Sequence, residues 1–200
     1  MLENNVYQKS EDDAFQKAGG KSSQDAGNNC IQSALRYSSQ KAGNNCIQSV
    51  GYDSNQIAKY NAIQVGGENT MQMAEHHSVQ KADSKSDQTS GRVSIQIAGD
   101  GSTQKAEEYS VQKSEIESKQ MAGYNSAQIA GDFSRQVAGN ESIQITGNDS
   151  VQVAGEGTIQ ICKWYDESGE KHVSFRLVTK EMENKPYKVS NGIWTEIENW

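Results

Sequence analysis

The sequence predicts an all-β fold: a parallel β-solenoid of about ten 16-residue coils, two octapeptide strands per coil, with a small C-terminal β cap. Three observations carry this. Glutamine recurs at every eighth residue and nowhere else. Lysine is frequent directly after it. The residue directly before it changes character with a period of sixteen, not eight.

The glutamines are Gln8, Gln16, Gln24, Gln32, Gln40, Gln48, Gln56, Gln64, Gln72, Gln80, Gln88, Gln96, Gln104, Gln112, Gln120, Gln128, Gln136, Gln144, Gln152 and Gln160. They define twenty consecutive octets. So strict a period is the mark of a repeat architecture. Eight fits neither the 3.6-residue turn of a helix nor the heptad of a coiled coil. Without the period the chain would read as disordered, with 34% hydrophobic and 7% aromatic residues.

Aligned on Gln, the octets read S-x-Q-x-A-G-x-x. Ser stands at position −2 (Ser94, Ser110, Ser126), Ala at +2 (Ala98, Ala122, Ala138) and Gly at +3 (Gly99, Gly123, Gly139). Alternate side chains of a strand share a face, so Ser, Gln and Ala point one way and the two neighbours of Gln the other. Position +1 holds Lys9, Lys17, Lys41, Lys81, Lys105 and Lys113. Unpaired lysine is almost never buried, so that face is outside and Ser, Gln and Ala are inside. A buried amide needs partners, and in-register stacking supplies them as a ladder from coil to coil. The Gly-x-x segment reads as the turn, with Gly supplying φ > 0.

The sixteen-residue period gives the coil. The segment AGNNCIQS occurs at 26–33 and again at 42–49. In alternate octets position −1 holds Phe15, Ile31, Ile47, Ile63, Val79, Ile95, Val111, Ala127, Ile143 and Ile159. The other octets hold Tyr7, Ser23, Ser39, Asn55, Met71, Asp87, Thr103, Lys119, Arg135 and Val151. One face is apolar and the other mostly polar, so two octets make one flat coil. An intertwined trimer would show a period of 8 or 24 instead. The outward apolar row from Phe15 to Ile159 is the expected interface, most simply between two copies paired along their lengths. Cys30 and Cys46 share the Ser row on adjacent coils. The strand spacing of roughly 4.8 Å exceeds the disulfide Cβ separation of about 3.5–4.5 Å, so two reduced, buried thiols are expected.

Residues 161–200 break the period and are set apart from the repeats at 1–160. They hold Trp164, Trp194, Trp200 and Pro186. DESGE at 166–170 and SNG at 190–192 read as hairpin turns. Such a module suits the exposed end of the last coil, because an uncovered edge strand recruits other chains.

AGYNSAQIAGDFSRQVAGNESIQITGNDSVQVAGEGT at 122–158 resembles the octapeptide repeats of the bacterial ice-nucleation proteins, and ICKWYDESGEKHVSFRL is similar to the exit from those repeats. The resemblance implies a β-solenoid that associates laterally and end to end on the outer cell surface. It also implies outward Thr-x-Thr rows that order water. Here no octet reads Thr-Gln-Thr, and Thr103-Gln104-Lys105 is the nearest.

The remaining features exclude more than they assign. A net charge of −7 without long runs of one sign gives no nucleic-acid footprint. No stretch has the apolar length of a membrane span. The start, MLENNVYQKS, lacks signal-peptide regions, which points to a cytoplasmic, phage-encoded or non-classically exported chain. Three Cys do not form a disulfide framework. His76-His77, Asp12-Asp13 and Glu107-Glu108 read as solvated turn residues, not metal or catalytic sites. No nucleophile–base pair, phosphate loop or cofactor motif is present, so an enzyme is not expected. The expected function is that of a non-enzymatic, self-associating structural protein. The alternatives are an ice-binding or ice-nucleating protein, or a phage tail fibre or spike component.

Overall fold

A computed structural model describes residues 3–198. It is all-β, and none of its described elements is a helix long and apolar enough to cross a membrane. Two compact units, Met1–Gly99 and Asp100–Trp200, make up the chain.

Strands β1 to β16 are three-residue segments centred on the first sixteen glutamines, from Tyr7–Lys9 (β1) and Phe15–Lys17 (β2) to Ala127–Ile129 (β16). Longer strands follow: Arg135–Ala138 (β17), Ile143–Thr146 (β18), Ser150–Ala154 (β19), Ile159–Tyr165 (β20), Lys171–Leu177 (β21), Tyr187–Ser190 (β22) and Ile193–Glu196 (β23). In the first unit the odd strands β1 to β11 stack as one parallel sheet and the even strands β2 to β12 as the other. The second unit repeats this with β13 to β19 and β14 to β20. The predicted solenoid of two octet strands per coil is therefore present in both units. Register is in phase throughout: Gln8 pairs with Gln24, Gln32 with Gln48, Gln144 with Gln160.

The inside is where the Lys row placed it. Gln, Ser and Ala are buried; the residues before and after Gln are mostly exposed. The core holds almost no large apolar side chain, its buried hydrophobics being Ala, Cys and a few Val. Hydrogen bonds replace them. Gln48 donates one amide hydrogen to Gln32 Oε1 (2.8 Å) and the other across the core to the Ile57 carbonyl (3.0 Å). Its own Oε1 accepts from Gln64 (2.9 Å). Gln128 repeats the triad with Gln112, the Val137 carbonyl and Gln144. Such an amide stitches its own sheet to the next coil and to the opposite sheet, whereas Gln24, Gln40 and Gln56 make the ladder bond without the crossing one. Asn, one methylene shorter, lacks the reach for both.

The Ser row fastens the turns. Ser54 Oγ donates to the Tyr52 carbonyl and accepts from the Ser38 amide (3.0 Å each). Cys30 and Cys46 take the same places: Cys30 Sγ donates to the Asn28 carbonyl, and Cys46 Sγ accepts from the Cys30 amide at 3.2 Å. Position +2 offers a hydroxyl nothing. Ser10, Ser90, Ser114 and Thr146 all stand there, and each has a buried hydroxyl oxygen without a partner. That explains the preference for Ala.

The turn differs from the sequence expectation in one respect. Positive φ falls at position +5, on Asn29, Asn45, Asn125 and their equivalents, and not on the Gly at +3. Gly at +3 is required by close approach instead. A Cβ on Gly27 would lie 2.0 Å from Asp12 Oδ1, and one on Gly155 1.8 Å from Asn140 Oδ1. The side chain at +4 of one coil accepts from the amide at +4 of the next. Where Gly precedes that amide the bond is short: Asn28 to Asp12 2.6 Å, Asn148 to Asp132 2.7 Å, Asn44 to Asn28 2.8 Å. Where a side chain stands there it lengthens: Tyr60, after Lys59, to Asn44 3.2 Å, and Ile116, after Glu115, to Asp100 3.0 Å. His76 acts as one of these caps, its Nδ1 accepting from the Arg92 amide at 2.8 Å.

Two outcomes follow. Gln48→Leu should destabilise by about 2–4 kcal/mol, because three groups lose partners, whereas Ser114→Ala should stabilise by up to roughly 1 kcal/mol. Denaturant melts of the two variants should move in opposite directions. Cys30, Cys46 and Cys162 are unpaired and buried, and burial raises the Cys46 and Cys162 thiols above their ordinary values. Native thiol titration should be slow at all three and become fast in denaturant.

Candidate functional site

Candidate sites lie on the surface rows and at the ends, since the core is filled by its own ladder. Within the first unit, Phe15, Ile31, Ile47, Ile63 and Ile95 are exposed on the outer face of the even strands. Val79 on the same row is half-buried. In the second unit Val111, Ile143 and Ile159 continue the pattern, with Ala127 half-buried. Beside the latter stand Ile129, Ile145 and Ile161. The row extends beyond the repeats: Leu177 and Phe175 on β21 pair with Ile159 and Ile161 and are exposed.

The C-terminal residues form two hairpins over the last coil. β20 passes straight from the repeat into the first hairpin and pairs antiparallel with β21. β22 lies antiparallel on β19 and turns at Asn191-Gly192 into β23. Asn191 is clasped by Asn148 through two bonds, 2.6 and 3.0 Å. Gly192 has φ +73, and Trp164 packs so close that a Cβ there would overlap its ring. Trp200 lies outside the described residues.

Arg176, on β21, stands opposite Gln160 and donates from Nε to its Oε1 at 2.7 Å. Its guanidinium lies 3.6 Å from the Tyr187 ring centre and 4.3 Å from that of Trp194. Trp194 is held by Ser174 Oγ at 3.1 Å. Burial pushes the guanidinium down to about 10, which leaves it charged at neutral pH. An arginine has donors only, so it closes the acceptor end of a ladder whose amides all donate toward the N-terminus. Gln152, at the end of the neighbouring ladder, meets β22 instead, and its buried Oε1 has no partner. No periodic signal marks Arg176.

The first hairpin is locked at its tip. Asp166 Oδ1 accepts from the amides of Ser168 and Glu170, both at 2.9 Å, and from the Ser168 hydroxyl; Oδ2 faces His172 Nε2 at 2.8 Å. These donors hold the Asp166 carboxyl well below the usual carboxylate range. Asp166, Glu170 and His172 bring potential metal-ligand atoms within 4.8 Å of one another. The Asp166 oxygens are already engaged by the turn, and this accounts for the arrangement. His172 also stacks on Trp164, ring centres 5.3 Å apart.

No family model matches the chain, and neither does any curated protein or solved structure.

On the turns of the first unit a depression of about 690 Å³ is lined by Lys21, Leu35, Arg36, Tyr37 and Tyr52 among others. Arg36 bonds to the Tyr52 hydroxyl, and Tyr37 meets the Tyr52 ring edge-on. Tyr109 and Tyr124 form a similar pair, with hydroxyls 2.7 Å apart. These pairs join position +5 of one coil to +4 of the next, a contact the octet alignment alone does not reveal. His77, Glu107 and Glu108 sit in turns as expected.

Arg176→Met keeps the bulk and removes the donor. It should destabilise by about 2–3 kcal/mol and red-shift the Trp194 emission. Fluorescence-detected urea unfolding measures both.

Proposed function

We propose that the protein is a non-enzymatic structural scaffold that associates with a second copy of itself through the outer face of its even strands, most simply as a homodimer. The observation that carries this is the unequal treatment of the two faces. On the even strands position −1 is apolar at every coil and, apart from the half-buried Val79 and Ala127, well exposed, from 69% at Phe15 to 41% at Ile159, and Phe175 beyond it reaches 76%. The odd strands carry Ser23, Ser39, Asn55 and Asp87 in the first unit and Thr103, Lys119 and Arg135 in the second, with the apolar Tyr7, Met71 and Val151 among them. Strand propensity favours β-branched residues on both faces alike, so it does not explain the difference. Contiguous exposed apolar patches of this kind mark interaction surfaces.

The resemblance of the octets to ice-nucleation repeats supports the scaffold part of this reading. The water-ordering part lacks support, because no outward pair is Thr-Thr and those of the even strands are Ile-Ser, apolar-Lys or two apolar residues.

Sedimentation velocity of the unmodified chain should show a dimer at micromolar concentration. Ile95→Lys with Ile143→Lys should give a monomer with an unchanged circular dichroism spectrum. A wild-type chain that sediments as a monomer at tens of micromolar overturns the proposal.

A further inference from the structure

Two cysteines stand one above the other in the first unit. On the even strands the inward row at position −2 reads Ala14, Cys30, Cys46, Ala62, Ser78 and Ser94. Cys30 and Cys46 are fully buried in a small apolar cluster with Ala26 and Ala42. The two thiols are held alike. Cys30 Sγ lies 3.0 Å from the Asn28 carbonyl oxygen and 3.8 Å from that of Glu11. Cys46 Sγ lies 3.2 Å from the Asn44 carbonyl oxygen and 3.4 Å from that of Gly27. The partners of one thiol are those of the other shifted by a coil, so both side chains share one rotamer. The strands that follow them, Ile31–Ser33 and Ile47–Ser49, pair in phase. The two sulfurs are therefore separated by the strand spacing, roughly 4.8 Å. That is far longer than an S–S bond of about 2.05 Å. It is close to two metal–thiolate bonds set in line, at about 2.3 Å each if taken from zinc thiolates.

We propose that Cys30 and Cys46 form a two-coordinate site for a soft monovalent cation, copper(I), seated between the two stacked sulfurs. Thiolate ligands select such ions, whereas the carbonyl oxygens nearby suit hard ones. A structural zinc site needs four ligands. Asp166, Glu170 and His172 are the only described set of three or more His, Cys, Asp or Glu placed to share an ion, so no third such residue joins the pair. Ala14 and Ala62, the row neighbours on either side, bring no ligand either. Binding exchanges the two S–H protons, which leave to solvent, for one Cu(I), and no electron is transferred. The bis-thiolate complex carries a single net negative charge. The Cys30 amide, which already donates to Cys46 Sγ at 3.2 Å, stabilises that charge. Exposed Asn29 and Asn45 directly precede the two cysteines, so the ion has a short way in from the turns. The site does not depend on the lateral pairing proposed above.

The test uses the full chain, reduced and kept free of oxygen. Cu(I) is supplied as its bathocuproine disulfonate complex, whose absorbance falls as the protein takes the ion, and is equilibrated overnight because the thiols are buried. The folded wild type should withdraw one Cu(I) per chain, and X-ray absorption at the copper edge should show sulfur neighbours. Cys30→Ser and Cys46→Ser insert the residue that the row carries at Ser78 and Ser94. Both variants should therefore keep the circular dichroism spectrum, and each should bind Cu(I) at least tenfold more weakly. Cys162→Ser should leave binding unchanged. No withdrawal of Cu(I) by the wild type, a copper-edge spectrum with only nitrogen or oxygen neighbours, undiminished binding in either folded single-serine variant at 30 or 46, or loss of binding in a folded Cys162→Ser chain would each overturn the proposal.

Discussion

The side-chain amide of glutamine is the constraint on which the rest of the structure depends. It has two donors and one oxygen, and at rungs such as Gln32, Gln48, Gln64 and Gln128 all three are used: one bond down the ladder, one up, one across the core. A buried amide left unmatched costs about 1–3 kcal/mol, and the low dielectric of the interior raises both the strength of the bonds and the penalty for losing one. The ladder also fixes the coil. Bonds between Gln i and Gln i+16 form only if every coil has the same length and the same register. An inserted residue would turn the amides of that coil outward and bring the Lys row in. Strict periodicity is therefore a requirement of the hydrogen bonding.

The other inward positions follow from this choice. Two sheets bridged by a single glutamine side chain are too close for Leu or Phe, so the buried apolar residues are Ala, Cys and a few Val. Hydrophobic burial, worth about 25 cal/mol per Å², is small per residue in such a core. Specific bonds take its place, and they discriminate between chemically similar residues. Serine is right at −2, where its hydroxyl closes a turn, and wrong at +2, where it closes nothing. Glycine is required where a side-chain cap lies directly beneath it, and the caps below Gly27, Gly43 and Gly147 are correspondingly the short ones. The outward rows carry no such constraint and vary freely between Lys, Asp, Met and Ile.

This division explains what was legible in the sequence. The solenoid, the inward triad of Ser, Gln and Ala, the two-octet coil and the C-terminal hairpins could all be read, because each repeats or is bounded by turn residues. The lysines at +1 decided inside from outside, and burial agrees at every described ladder position from Gln16 onward. The turn was misread because Gly at +3 looks like a conformational requirement. The left-handed residue is two places later and is mostly not glycine. The caps at +4 escaped notice because Asp, Asn and His perform one task with different atoms. Arg176 escaped notice because it occurs once, and its partners Gln160, Tyr187 and Trp194 meet only through antiparallel pairing.

A ladder of amides has direction, and direction makes its ends unlike. The described rungs donate toward the N-terminus, so the C-terminal end of the ladder offers acceptors and the N-terminal end donors. An arginine closes the first kind of end and cannot close the second. The solvent-exposed columns on the turns obey the same rule with a different solution. The column of Asn61, Asn45 and Asn29 donates in sequence toward the N-terminus and stops at Asp13, which accepts from Asn29 at 3.1 Å and has nothing of its own to donate. A carboxylate thus ends an asparagine column cleanly where water can solvate it. The same replacement in the core would set Glu where Gln8 or Gln16 stands. It would remove the donor that now reaches the Lys17 or Asp25 carbonyl and place a charge against it. The amide is therefore kept in the core column where the surface column accepts a carboxylate.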